Sequence, residues 1–136
     1  MFGRLIGMLC VVLLPVSGCS RSGHDRQDIL KILTTRSNAL NSRDISKYIS
    51  VVSPHYSDKG KSCAQLKESL EKNFRDFERL SYEPGIQSIT VKGVSAESVG
   101  SYRMKIRVRG KEMILNGTEH LRLVKEPEGW KIIAGI

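Results

Sequence analysis

Apolar residues recur at two different periods along the chain, and the change of period divides it in half. From Asp25, which stands at a helix N-cap position, Ile29, Ile32, Leu33 and Leu40 follow at helical spacing and predict an amphipathic helix to about Ser42. Asp44 opens a shorter helix whose Ile45, Tyr48, Ile49 and Val52 share a face, and Pro54 limits it. After a polar connection with one extended turn around Tyr56, Leu66, Leu70, Phe74 and Phe77 predict a third helix from about Ser62 to Leu80.

Beyond Pro84 the period becomes two. Ile89 and Val91 mark one strand, closed by Lys92-Gly93. In the next, Ala96 to Arg109, Tyr102, Met104, Ile106 and Val108 alternate with Arg103, Lys105, Arg107 and Arg109. Met113, Leu115, Gly117, Glu119, Leu121 and Leu123 continue the inward set after a turn at Gly110-Lys111. Trp130, Ile132, Ala134 and Ile136 complete it after the turn at 126–129. Three helices followed by a four-stranded antiparallel meander make an α+β domain, with helices covering one face of a curved sheet.

The first eighteen residues read differently. Arg4 gives a positive start, Leu5 to Val16 an apolar run and Val16-Ser17-Gly18 a small-residue cleavage site. About twelve apolar residues make about 18 Å of helix, short of a bilayer core of about 30 Å, so a removed leader is favoured over a membrane span. Leu14-Pro15-Val16-Ser17-Gly18-Cys19 resembles the lipobox of bacterial lipoproteins. That resemblance implies cleavage before a diacylglyceryl-modified Cys19, with residues 19–24 as a polar tether and 25–136 as the domain. Ser20 after the cysteine resembles lipoproteins exported to the outer membrane, facing the periplasm.

Charge then narrows the partners. Of 22 Lys and Arg, Arg4 would leave with the leader, so 21 basic residues face 14 acidic ones, a balance of +7. Such a domain is disposed toward anionic lipids or glycans, while an envelope location disfavours nucleic acid. With Cys10 in the leader and Cys19 lipidated, Cys63 is alone, no intramolecular disulfide is expected, and a small apolar helix-face residue is its simplest reading. His24, His55 and His120 are scattered; neither a metal site nor another cofactor is indicated.

The first helix, Ala39-Leu40-Asn41-Ser42-Arg43-Asp44, Tyr56-Ser57-Asp58 and Glu128-Gly129-Trp130-Lys131-Ile132-Ile133 resemble the nuclear transport factor 2-like, or SnoaL-like, superfamily over most of residues 25–136. The resemblance implies a cystatin-like cone, a bent sheet wrapped on helices with a pocket at the wide end. Members include isomerases, dehydratases, hydrolases and binding modules without catalysis, so fold alone does not select an activity. The inward Asp and His pair expected of dehydratase-like and hydrolase-like members is missing from this sequence.

A two-residue turn at Gly110-Lys111 places Tyr102 opposite Glu119, and the register through 126–129 places Glu119 opposite Ile136. Glu119 therefore falls on the apolar face. Two uses are open to it: general base of an isomerase, dehydratase or hydrolase, or ligand-orienting group of a non-catalytic binding or accessory module, the favoured reading. Tyr48, Tyr56, Tyr102, Met104, Leu115 and Trp130 are the accompanying pocket candidates for a small apolar ligand. On the other face, Arg103, Lys105, Arg107, Arg109, Arg122 and Lys131 form a candidate anionic-surface site, with Glu112 expected to pair with Arg109. That face could also serve a homodimer or an envelope protein partner, although its charge disfavours a tight apolar dimer.

Overall fold

The structure is a computed structural model that describes residues 21–136. The leader and Cys19 lie outside the described residues. Helix α1 (Arg21–Ser42) is followed by α2 (Ile45–Ser50), a small hairpin of β1 (Ser57–Asp58) and β2 (Lys61–Ser62), and α3 (Cys63–Asp76). Strands β3 (Arg79–Lys92), β4 (Ser95–Val108), β5 (Lys111–Glu126) and β6 (Gly129–Ala134) then form an antiparallel meander in chain order. The α+β class and curved-sheet architecture are as the sequence pattern predicts.

Helix α1 begins at least four residues before the expected start, so Arg21 to His24, expected in the polar tether, are helical. Asp25 is not its cap. It lies in the first turns, buried, where its Oδ1 accepts from Lys125 Nζ at 2.7 Å and Trp130 Nε1 at 3.0 Å. These bonds fasten the start of α1 to the β5–β6 hairpin, and hold the Asp25 pKa below the ordinary carboxylate range against the opposing effect of burial. At the other end Arg43 takes φ 54° and the chain reverses, letting Asp44 cap α2 through Lys47 N–H at 2.9 Å.

Helix α3 starts with a reciprocal Ser62/Gln65 capping box and stops at Asp76, four residues early. Glu78 N–H already donates to Arg107 O at 2.7 Å, so ladder pairing captures Phe77 to Leu80 before the helix can. Strand β3 is correspondingly longer than expected. Pro84 and Gly85 interrupt its sequence but not its course, because β3 is a sheet edge and a register shift between Pro84 and Gln87 absorbs them.

The β4–β5 turn is Arg109-Gly110, with φ of 51° and 77°, not Gly110-Lys111. This is the two-residue geometry that demands left-handed residues. The pairing moves by two positions: Tyr102 faces Gly117 and Glu119 faces Gly100. An even shift preserves the faces, so Glu119 still points inward. The β5–β6 register is as expected up to Leu123–Ile132, but an irregularity at Arg122/Leu123 and the end of β6 at Ala134 leave Glu119 unpaired with Ile136.

Two buried clusters fill the space between helices and sheet. Ile29, Val51, Ile89, Leu121, Leu123, Trp130 and Ile132 form one; Leu40, Tyr48, Val52, Tyr56, Leu66, Leu70 and Tyr82 form the other. Cys63 packs at the margin of the second as an apolar residue. The segment after α2 closes the free edge of β6 through Ser53 N–H to Ile132 O and Ile132 N–H to Val51 O, each 2.9 Å.

Candidate functional site

The inward end of the cone is built around a residue the sequence reading did not single out. Arg36 lies seven residues after Ile29, three after Leu33 and four before Leu40, which puts it on the apolar stripe of α1. It is 6% exposed. Its Nη1 and Nη2 donate to Glu119 Oε1 and Oε2, each at 3.1 Å, in a bidentate pair. Nε donates to the Tyr48 hydroxyl at 3.1 Å, and Nη1 also reaches the Tyr82 hydroxyl at 3.2 Å. Tyr82 in turn donates to Glu119 Oε1.

Tyr82 is positioned by Asn41. The Asn41 amide donates to Tyr82 O at 2.9 Å and accepts from Tyr82 N–H at 2.7 Å, occupying backbone groups on the free side of β3. Burial pushes the Tyr82 phenol up to about 12; Arg36 opposes this and the hydrogen bond to Glu119 reinforces it. Tyr82 therefore remains a protonated donor at physiological pH. Burial works against the charge of Arg36, yet Tyr48, Glu119 and Tyr82 around it hold its pKa above the ordinary value.

A cavity of about 520 Å³ opens above this network. Tyr82, Arg36 and Glu119 form its floor, and Tyr102 and Met104 its wall. Thr118, His120 and Arg122 from β5, Asp58 and Lys59 from the small hairpin and the segment Ala134 to Ile136 complete the lining, with His120, Arg122 and Lys59 exposed. Tyr102 stacks on Tyr82 with centroids 6.0 Å apart, over Gly117, whose missing side chain makes room for the phenol. Another depression of about 380 Å³, between α1 and the irregular part of β3, is also lined by Arg36, Tyr82 and Glu119.

Of the expected pocket residues, Tyr102, Met104 and Glu119 come together here. Tyr48 is buried beneath Arg36 and outside the cavity lining. Tyr56 is buried too, its hydroxyl donating to Ile136 O and accepting from Ile136 N–H, each at 3.1 Å; burial raises its pKa. Trp130 belongs to the other cluster, held by Asp25. Leu115 lies on the inward face but is 43% exposed, because none of the described helices extends over the far end of the β4–β5 hairpin. Tyr82 was not among the candidates because the strand that carries it was placed after Pro84.

The cations are less unified than their alternation predicts. Arg103 and Lys105 are exposed on the outer face, and Arg107 faces Glu112 while its Nε lies 3.4 Å from Glu78. The expected Arg109–Glu112 pair does not form, since Arg109 is in the turn. Arg122 belongs to the cavity rim, and Lys131 donates to Ser50 O. Among the described residues no group of three His, Cys, Asp or Glu side chains could hold a metal ion, and no helix is long and apolar enough to cross a membrane.

Helices wrapped by a bent four-stranded sheet, with a cavity between β4, β5 and the small hairpin, define a cone with an internal pocket. Solved structures identify it as the nuclear transport factor 2-like, cystatin-like fold. A nuclear transport factor 2-like superfamily protein from Salmonella enterica serovar Typhimurium matches with a TM-score of 0.73 at 18% identity, covering 83% of this chain and 89% of that one. A protein from Novosphingobium aromaticivorans with the cystatin-like fold matches at 0.68 and 15% identity, over 84% and 80%. A provisionally assigned dehydratase of the same family from Streptomyces avermitilis matches at 0.71 and 13% identity, over 83% and 94%. At these identities the likeness is one of fold. No family model and no curated protein matches the sequence.

Proposed function

We propose that the protein is a lipid-anchored module of the bacterial envelope that holds a small ligand in its cone without transforming it. The observation that carries the non-catalytic part is the state of Glu119. Both carboxylate oxygens are engaged by Arg36, and one also by Tyr82, so the group best placed to abstract a proton is already spent. The same pair gives a rigid, internally neutral floor for a bound molecule. An isomerase, dehydratase or hydrolase using Glu119 would first have to break it.

The anchoring part rests on the lipobox-like Leu14 to Cys19 and on the chain being already helical at Arg21, two residues after Cys19. With so short a link, the domain would sit against the outer membrane on its periplasmic side by the end where α1 meets Trp130 and the β3–β4 turn. Arg103 to Arg107 lie eight to twelve residues along β4 from Ser95, about 26–40 Å at about 3.3 Å per residue, so in this reading they face away from the bilayer toward a glycan or protein partner. Intact mass measurement of the membrane-extracted protein tests the anchor. A diacylglyceryl-modified Cys19 as first residue, with release of Cys19→Ser from membranes, is expected; an unmodified soluble chain refutes it.

A further inference from the structure

The cavity's donors and acceptors are unequal, and the imbalance indicates what it holds. Its acceptors are engaged: Glu119 by Arg36 and Tyr82, and Asp58 Oδ2 by Gly135 N–H at 3.1 Å. The His120 imidazole is paired at 3.3 Å with Glu97. Its donors are not engaged. Lys59, Arg122 and Tyr102 line the cavity, and none of their polar side-chain groups has a hydrogen bond or ion pair among the described residues. The two cations stand at the rim, while the half-buried faces of Tyr102 and Met104 lie below them.

We propose that the ligand is an organic anion, with an apolar, preferably aromatic body against Tyr102 and Met104 and a carboxylate or similar oxyanion held by Lys59 and Arg122. This rests on the reading of the cone as a binding pocket and assigns the class of molecule it takes. The charge arithmetic favours an anion over a neutral or cationic ligand. Arg36 and Glu119 cancel, and Asp58, whose Oδ2 accepts from Gly135 N–H, offsets one of the two cations Lys59 and Arg122, so the lining keeps a net positive charge. An anion satisfies three idle donors at once, whereas a cation would face two like charges and no unengaged carboxylate in the floor. Lys59 stands in the β1–β2 turn, where its own φ of 49° and that of Gly60 at 74° reverse the chain beside the cavity.

A matched pair of fluorescent probes tests this on the full mature chain, with circular dichroism confirming that each variant is folded. 8-Anilinonaphthalene-1-sulfonate carries the anion; N-phenyl-1-naphthylamine has the same aromatic body and none. The sulfonate is expected to bind more tightly, by about five- to tenfold, and the Lys59→Ser/Arg122→Ser double variant to lose that preference while keeping its affinity for the neutral probe. Equal binding of both probes to the wild type overturns the anion assignment and leaves the pocket reading standing. Sulfonate binding untouched by the double variant also overturns it, because the anion would then sit elsewhere. Binding of neither probe overturns the pocket reading itself.

Discussion

Replacing Arg36 by Met probes the floor of the cavity most sharply. Methionine keeps an unbranched stem over the Tyr48 and Tyr82 rings, which the guanidinium approaches to 5.8 and 5.4 Å, while removing every donor to Glu119. The side chains of Arg36 and Glu119 are only 8% and 11% exposed, so the abandoned carboxylate would be left in a largely dry site. Breaking a buried pair from one side costs about 3–5 kcal/mol. For a domain of this size that lowers Tm by roughly 12–20 °C. Glu119→Gln, which keeps an oxygen and the shape, should cost about 1–3 kcal/mol. The double variant Arg36→Met/Glu119→Gln should lose much less than the two single losses together, because no charge remains stranded. Urea unfolding followed by Trp130, the only tryptophan in the chain, measures all of these. A loss below about 1 kcal/mol for Arg36→Met, or strict additivity in the double variant, would refute the claim that the pair is a buried structural unit.

The Asp25 pKa lies below its ordinary value, so its interaction with Lys125 and Trp130 contributes fully above the unfolded pKa and is lost as pH falls through the lower folded one. Stability of the wild type should therefore drop below about pH 4, and Asp25→Asn should flatten that part of the profile in urea midpoints taken from pH 7 to pH 3. Gly135 has φ 100°, and a Cβ there would stand 2.0 Å from His120 O, so Gly135→Ala should destabilise the domain by more than about 2 kcal/mol in the same assay. At Gly117 the obstruction is instead the Tyr102 ring end, 2.8 Å away; Gly117→Ala should leave most of the stability intact while changing probe affinity. Arg109→Asn should raise the thermal midpoint slightly, by about 0.5–1 kcal/mol equivalent, since Asn tolerates the left-handed turn position better.

Much of the architecture was legible because burial imposes its period directly on the sequence. The inward sets of β4 and β5 remained inward even though the turn was misplaced, since a two-residue shift does not change the face of any side chain. Boundaries were less legible where local signals compete with distant partners. Asp25 has the chemistry of an N-cap, but Lys125 and Trp130, a hundred residues away, claim its carboxylate. Pro84 and Gly85 have the chemistry of a breaker, but an edge strand tolerates them. In the site, Glu119 was visible as an acid on a dry face. Its partner was visible too, at a core spacing of α1, although a lone arginine among apolar residues is easily assigned to solvent. Leu115 and Trp130 lie outside the cavity lining, because strand parity identifies a face without saying which stretch of it lines the cavity, fills the core or stays uncovered.

Glu119 as a fixed part of the floor, rather than a reacting group, is the claim on which the functional reading turns. Native mass spectrometry of the membrane-extracted wild type and of Glu119→Gln, comparing the small molecules each carries, tests it directly. The reading predicts the same bound mass in both, because nothing is transformed. A different molecule trapped in Glu119→Gln, and its product in the wild type, would contradict it and make Glu119 a catalytic base.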